Sequence, residues 1–119
     1  TIARWFGDPI PTELMASANL VRHLLAQVHP HGYAIAYNVF AQSDTAHTQR
    51  LAELQVPALF MTGECDPNST PAMSQAMADR APRGIYRRLD GARHMMTLTS
   101  ADSVNQTLAC FLADRALPD

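Results

Sequence analysis

Two short stretches of the sequence each place a candidate catalytic side chain in a loop that contains glycine. Asp66 lies in GECDP (63–67) and His94 lies in DGARHMM (90–96), 28 residues further along the chain. An aspartate that holds an imidazole, and an imidazole that accepts a proton from a nucleophile, are two of the three groups of a catalytic triad. The pair therefore points to hydrolytic chemistry and leaves the nucleophile to be located.

Both residues follow segments that have the pattern of a β-strand. VPALFMTG (56–63) is a continuous apolar run closed by glycine, which is typical of a strand buried on both faces of a parallel sheet. IYRRL (85–89) predicts a second strand, more polar and nearer the sheet edge. Because functional groups of open α/β sheets collect outside the carboxyl ends of the strands, we expect Asp66 and His94 to converge.

Helices are predicted on either side of the second strand. Thr70 followed by Pro71 is a helix start, with an N-cap hydroxyl before a residue that tolerates the first helical position. Thr99 and Asp102 resemble a capping box that opens a last helix. That helix is expected to bury the apolar residues Val104, Leu108, Phe111 and Leu112. The alternation predicts an α/β fold, and because two parallel strands do not complete a domain, we expect the chain to be part of something larger.

The first 54 residues are predicted to be helical. Thr12 is expected to cap a first helix, which HPHG (29–32) interrupts. A second helix is expected over 33–41, and Ser43 or Asp44 is expected to cap a short third one.

Two long segments of the sequence resemble the C-terminal half of an α/β-hydrolase. They are LAELQVPALFMTGECDPNSTPAMSQAMA and DGARHMMTLTSADSVNQTLACFL. Members of that family typically read I-x-x-P-x-L-x-x-x-G-x-x-D into the acid loop and G-x-x-H into the histidine loop, and close with a helix ending in F-L. The matching residues here are Val56, Pro57, Leu59, Gly63, Asp66, Gly91, His94, Phe111 and Leu112. The resemblance covers about residues 50–115.

The resemblance implies a fold, a division of the chain and a reaction. The fold is the last two parallel strands of an α/β-hydrolase with flanking helices, in which residues 1–42 form a helical lid and residues 43–119 form the C-terminal part of the core. His94 is implied as general base and then general acid, with Asp66 holding its ring. The implied substrate is an ester, lactone or related small carbonyl compound, although some relatives cleave carbon–carbon bonds, form peracids or open epoxides.

Aromatic and sulfur-containing side chains are candidates for lining an apolar substrate pocket. The residues expected to line it are Met95, Trp5, Tyr33 and Tyr37. Each of them is also compatible with ordinary helix packing.

The nucleophile is missing from the pattern. In this family it comes first, on a G-x-S-x-G elbow, and none of the five glycines opens that motif. Cys65 sits in a G-x-C-x-P sequence, but Pro67 occupies a position that needs a small residue for the tight turn. Thr1 is a second candidate, as an N-terminal nucleophile that uses its own amine as base. No β-sandwich pattern follows it, however, which argues against this role.

The sequence therefore predicts a partner segment, the N-terminal half of the hydrolase, which carries the nucleophile elbow. This segment is expected to be either a second polypeptide or the other part of a longer chain that was cut in its lid. The alternative is a non-catalytic binding or structural module with the same fold. A Ser, Cys or Asp at the elbow of the missing half favours the enzyme, whereas Gly or Ala there favours the alternative.

Composition narrows the remaining classes of function. A net charge of −2 without a Lys/Arg stripe argues against nucleic acid, and no apolar run reaches the ~20 residues of a membrane helix. Cys65 and Cys110 are interpreted as reduced thiols, which favours the cytoplasm. We expect no cofactor, since phosphate-loop and dinucleotide motifs are absent. We also expect no metal, since His29 and His31 have no Cys or carboxylate at ligand spacing.

Overall fold

The computed structural model describes residues 1–43 and 45–118. Within them the chain forms six α-helices and a sheet of two parallel strands. The α-helices are α1 (Ile2–Phe6), α2 (Met15–Ala26), α3 (Pro30–Ala41), α4 (Pro71–Arg80), α5 (Met96–Thr99) and α6 (Ala101–Leu112). Two 3₁₀ helices cover Thr12–Leu14 and Arg50–Glu53.

The sheet confirms the predicted pair of parallel strands. The first strand, β1 (Ala58–Gly63), pairs with β2 (Gly84–Leu89), and Gly63 lies opposite Leu89 at the carboxyl end. The predicted first strand begins two residues early, because Pro57 has no N–H to donate to a ladder. Since the strands end opposite each other, the loops that follow them open at one edge of the sheet.

The crossover helix α4 begins where the sequence predicts. The Thr70 hydroxyl accepts a hydrogen bond from the backbone N–H of Met73 at 3.4 Å, and Pro71 occupies the first helical position. The helix packs on both strands and buries Ser74 and Ala78 against them. Gly84 allows the start of β2 to lie against the Ala78 backbone, where a Cβ would clash.

The start of α6 differs from the prediction. Ser100 precedes the helix and makes no capping hydrogen bond, whereas Thr99 belongs to α5 and its hydroxyl donates to the Met95 carbonyl oxygen at 3.2 Å. The prediction that Thr99 and Asp102 form a capping box at the start of α6 is therefore wrong. The sequence spacing is present, but the intervening Ser100 adopts a backbone conformation (φ −133°) that breaks the chain into two helices.

The expected burial along α6 is only partly observed. Val104 is buried, but Leu108 is 39% exposed and Leu112 is 81% exposed. The prediction is wrong for these two leucines because a sheet of two strands does not extend far enough to cover them. Their apolar face remains open to solvent in this chain.

The N-terminal helices are present with shifted boundaries. Thr12 begins a 3₁₀ turn after Pro11 and makes no side-chain cap, so its predicted capping role is wrong. The predicted second helix corresponds to α3, which begins at Pro30. The His29 Nδ1 accepts a hydrogen bond from the Gly32 N–H at 3.3 Å at its start. HPHG therefore starts this helix as well as separating it from α2, since proline suits the first helical position.

The predicted third helix is a 3₁₀ helix, Arg50–Glu53, preceded by turns. The Ser43 hydroxyl donates to the Val39 carbonyl oxygen at 2.6 Å, so this side chain belongs to the end of α3. It therefore does not cap the later segment. Asp44, the other candidate cap, lies outside the described residues.

Two small apolar clusters form the core of the described chain. One contains Phe6, Ala18 and Val21, from α1 and α2, and the other contains Leu89, Ala92 and Val104, from the end of β2 to α6. Met95 packs against the first cluster, which connects the N-terminal helices to the loop after β2. The division into residues 1–42 and 43–119 stays a prediction.

Among the described residues, no helix has both the length and the apolar character needed to cross a membrane. The same residues contain no group of three or more His, Cys, Asp or Glu side chains placed to hold a metal ion. Cys65 and Cys110 are free thiols.

Candidate active site

Asp66 lies in the loop after β1 and is held there by the loop itself. Its Oδ1 accepts hydrogen bonds from the backbone N–H groups of Asn68 at 2.8 Å and Ser69 at 3.0 Å. The buried hydroxyl of Thr62 donates to the Ser69 carbonyl oxygen at 2.6 Å and closes the loop against the strand. The carboxylate, in a residue only 8% exposed, is thus fixed in place by backbone N–H groups of the same loop.

The loop that carries His94 is joined to the acid loop by backbone hydrogen bonds. The Glu64 N–H donates to the Leu89 carbonyl oxygen at 2.9 Å, and the Cys65 N–H donates to the Ala92 carbonyl oxygen at 2.8 Å. Gly63 makes this approach possible, because a Cβ at that position would lie 2.6 Å from the Ala92 carbonyl oxygen. The parallel strands therefore continue as a pair of joined loops.

A side chain adds a further connection between the two loops. The Gly91 N–H donates to Glu64 Oε2 at 2.8 Å, while the other carboxylate oxygen lies 3.5 Å from Arg88 Nη1. Arg88 Nη2 also pairs with Asp90 at 2.9 Å, and the hydrogen bond and charge of Asp90 raise the pKa of Arg88. These groups are well exposed, so the ion pairs contribute little to stability. Glu64 contributes instead by holding the two loops together through its hydrogen bond with the Gly91 N–H.

The structure brings Asp66 and His94 together. His94 Nδ1 lies 2.9 Å from Asp66 Oδ2 and 3.1 Å from Oδ1. Because a carboxylate can only accept, Nδ1 carries the proton and Nε2 is the nitrogen left for another partner. The His94 side chain is 29% exposed and that of Asp66 is 6% exposed, so the imidazole is the outer member of the pair. This is the arrangement in which an acid orients a general base.

Two of the four predicted pocket residues lie beside this pair. The indole of Trp5 has its centroid 5.4 Å from that of the His94 imidazole, with the ring planes tilted by 37°. Met95 packs against the cluster of Phe6, Ala18 and Val21, to which Trp5 also belongs as a partly buried neighbour. The N-terminal helices thus contact the loop that carries His94.

The other two predicted pocket residues lie on α3. Tyr33 and Tyr37 are 43% and 59% exposed and stack on each other with centroids 6.2 Å apart. The ring of Tyr37 also meets that of Phe40 at 6.2 Å, so the aromatic contacts of this pair are with α3 itself. A role for Tyr33 and Tyr37 in substrate binding stays a prediction.

No nucleophile meets His94 within residues 1–43 and 45–118, where its side-chain hydrogen bonds are those to Asp66. Cys65 is exposed, and its backbone N–H is used in the contact between the loops. Thr1 is exposed at the start of α1, where its carbonyl oxygen accepts from the Trp5 N–H at 3.0 Å. Neither residue is placed by these contacts as the attacking group.

Three side chains that support the site were not predicted from the sequence. Thr62 and Glu64 support the loops, and Arg4 Nη2 donates to the Pro67 carbonyl oxygen at 3.2 Å, from α1 to the acid loop. A polar residue at the end of an otherwise apolar strand was a signal for Thr62. Arg4 lies 63 residues from its partner, and local sequence gives no sign of such a contact.

A buried acid and an outward histidine at the carboxyl ends of parallel strands are compatible with hydrolytic chemistry, and a curated protein that the chain resembles is named as a hydrolase. The chain is 38% identical over 111 residues to (E)-2-((N-methylformamido)methylene)succinate hydrolase of Acinetobacter baylyi. The match covers 93% of this chain and 41% of that protein, so the chain spans about two fifths of the relative's length. No family model and no solved structure matches the chain.

Proposed function

We propose that this chain supplies the acid and the histidine of a nucleophile–His–Asp triad in a hydrolase of the α/β-hydrolase type. The observation that carries the proposal is the pairing of His94 Nδ1 with the buried Asp66 carboxylate at 2.9 Å, where two parallel strands end. The similarity to a named hydrolase over most of the chain supports the same class. The nucleophile lies on an N-terminal segment, and "the longer protein" below means this chain together with that segment.

The chemistry assigned to His94 follows from its free nitrogen. Nε2 accepts the proton of the nucleophile as that group attacks a substrate carbonyl carbon. Asp66 holds the ring in the tautomer with the proton on Nδ1 and stabilises the imidazolium that forms. The same proton then passes from Nε2 to the leaving group as the tetrahedral intermediate collapses. Water repeats the sequence to release the acyl group from the nucleophile.

The substrate class is a small carbonyl compound: an ester, a lactone or an amide. Amides are included because the relative's name describes hydrolysis of a compound that carries a formamido group on a succinate skeleton. Met95, which follows His94 in the same loop, is assigned to the wall of the substrate pocket, whereas the indole of Trp5 contacts the ring of His94 itself. Apolar walls with a few polar groups are typical of sites for small organic molecules.

A second candidate is a non-catalytic binding module of the same fold. It is favoured by one observation, which is that the described residues provide no hydroxyl or thiol partner for His94. The two candidates differ in the residue at the elbow of the missing segment, since Gly or Ala there leaves nothing to attack the substrate.

Hydrolysis of a p-nitrophenyl ester by the longer protein tests the proposal. We expect His94→Asn to lower kcat/KM by about 10³-fold or more, because the general base is lost and only binding and oxyanion stabilisation remain. The matched control is His31→Asn, in which an exposed histidine at the start of α3 is changed in the same way. Equal activity in both variants would exclude the assigned role of His94.

A further inference from the structure

The short helix α1 contacts both loops of the candidate site. Arg4 Nη2 donates to the Pro67 carbonyl oxygen in the acid loop at 3.2 Å. The neighbouring Trp5 places its indole 5.4 Å from the imidazole of His94, between centroids. The next residue, Phe6, is fully buried and anchors the helix in the N-terminal cluster. A helix of five residues is therefore fixed at three consecutive positions.

The hydrogen bond to Asp66 holds one nitrogen of the His94 imidazole but does not fix the orientation of the ring. A contact with another aromatic ring restricts that orientation. Both carboxylate oxygens lie near Nδ1, at 2.9 and 3.1 Å, and the ring can rock about this one nitrogen without breaking the contact. Such rocking displaces Nε2, because that atom lies two bonds away from the pivot. An aromatic partner against the ring restricts the motion, and a centroid distance of 5.4 Å lies within the range of attractive aromatic pairs.

From this geometry we infer that Trp5 is a positioning residue for His94. Its indole holds the imidazole so that Nε2 points to the place where the nucleophile and the substrate meet. The inference rests on the proposed function and adds to it a part for the N-terminal helices: the sheet edge holds Nδ1 through Asp66, and α1 holds the ring. Met95, which follows His94 and packs on the same apolar cluster as Trp5, fixes the backbone on that side.

Kinetics of Trp5 variants of the longer protein separate positioning from substrate contact. We expect Trp5→Leu to lower kcat by about 10- to 100-fold, since small misplacements of a reacting group have effects of this size, with KM within about threefold of wild type. Trp5→Phe keeps a flat ring and should recover most of the lost rate. Phe40→Leu is the matched control, because this aromatic side chain is 67% exposed on α3. A raised KM with unchanged kcat would overturn the inference and leave Trp5 as a pocket wall.

A second measurement tests the contact without relying on hydrolysis. In the longer protein labelled with ¹⁵N-histidine, the Nδ1 proton held by Asp66 should resonate far downfield of the amide protons, and His94→Gln identifies it by its loss. We expect Trp5→Leu to broaden or remove this resonance through exchange with water, and Trp5→Phe to retain it. An unchanged resonance in Trp5→Leu would overturn the inference even if wild-type hydrolysis is confirmed. If Trp5→Leu loses the resonance and the wild-type protein has no hydrolase activity, the positioning contact is supported and the proposed function is refuted.

Discussion

Asp66 makes two sets of contacts that a pair of substitutions can separate. Asp66→Asn retains an oxygen for the Asn68 and Ser69 N–H groups but turns an NH₂ group toward Nδ1, which forces the wrong tautomer on His94. We expect kcat to fall by about 10⁴-fold while the free energy of unfolding changes by less than about 1 kcal/mol. Steady-state kinetics and urea unfolding of the longer protein measure the two quantities. A kcat within tenfold of wild type would contradict the assigned role.

Asp66→Ala should instead affect both properties. It removes the acceptor of two backbone N–H groups in a partly buried loop, so we expect an additional loss of about 1 to 3 kcal/mol in the free energy of unfolding. Asp79→Asn, at an exposed position of α4, is the control for loss of a negative charge. If Asp66→Ala and Asp66→Asn unfolded at the same urea concentration, the side-chain oxygen at position 66 would have no part in fixing the acid loop.

The sequence predicted the pair of Asp66 and His94 but only some of the side chains that contact this pair. Asp66 and His94 are recognisable because each follows a strand pattern by a few residues and has side-chain chemistry that few other residues share. Trp5 was predicted on its aromatic character alone, and its contact with His94 depends on how α1 docks, 89 positions away. The same criterion selected Tyr33 and Tyr37, whose ring contacts remain within α3.

The joined loops at the carboxyl ends of β1 and β2 depend on Gly63. A Cβ there would lie 2.6 Å from the Ala92 carbonyl oxygen and 2.8 Å from that of Arg93, and backbone atoms cannot move away as side chains do. We expect Gly63→Ala to lower the free energy of unfolding by about 1 to 3 kcal/mol and to displace the histidine loop, with loss of activity.

Gly32→Ala is the matched control for Gly63→Ala. Gly32 lies inside α3, where the nearest atom to an added Cβ is the His29 Cβ at 3.9 Å. Alanine is the better helix former, so we expect this change to raise stability by about 0.5 to 1 kcal/mol. Thermal melts of the two variants of the longer protein give the comparison. Equal melting temperatures would show that the loops have more room than the structure indicates.

Local signals explain which elements were predictable. The apolar run of β1 and the Thr70–Pro71 start of α4 are determined by residues next to one another, and both are confirmed within two residues. The Thr99 capping box satisfied the spacing rule, yet the backbone at Ser100 separates α5 from α6. Burial of Leu108 and Leu112 failed for another reason: spacing defines an apolar face of a helix but not what covers it.

The described chain exposes more surface than a compact monomer of its mass. Its accessible surface is 8204 Å², against about 6400 Å² expected for a folded protein of 13.1 kDa. Its radius of gyration is 15.9 Å, against about 13.5 Å expected for this length. Part of the exposed apolar surface lies on α3, where five residues are 43 to 67% exposed: Tyr33, Ile35, Tyr37, Val39 and Phe40.

We therefore expect residues 1–119 expressed alone to self-associate and to bind a dye for apolar surfaces such as ANS. Large contiguous apolar patches are uncommon on monomeric proteins and promote association. Light scattering after size exclusion, together with a thermal melt, gives the test, and the longer protein is the control. A monomer with a sharp, cooperative melt would show that this chain is an independent module.

The most direct test of the triad is covalent labelling of the longer protein with a fluorophosphonate, followed by intact-mass and peptide mass spectrometry under denaturing conditions. We expect one adduct on a residue outside residues 1–119, formed in the wild type and at least 100-fold more slowly in His94→Asn. An adduct within residues 1–119, or equal labelling rates in the two proteins, would contradict the assignment of Asp66 and His94 to this triad.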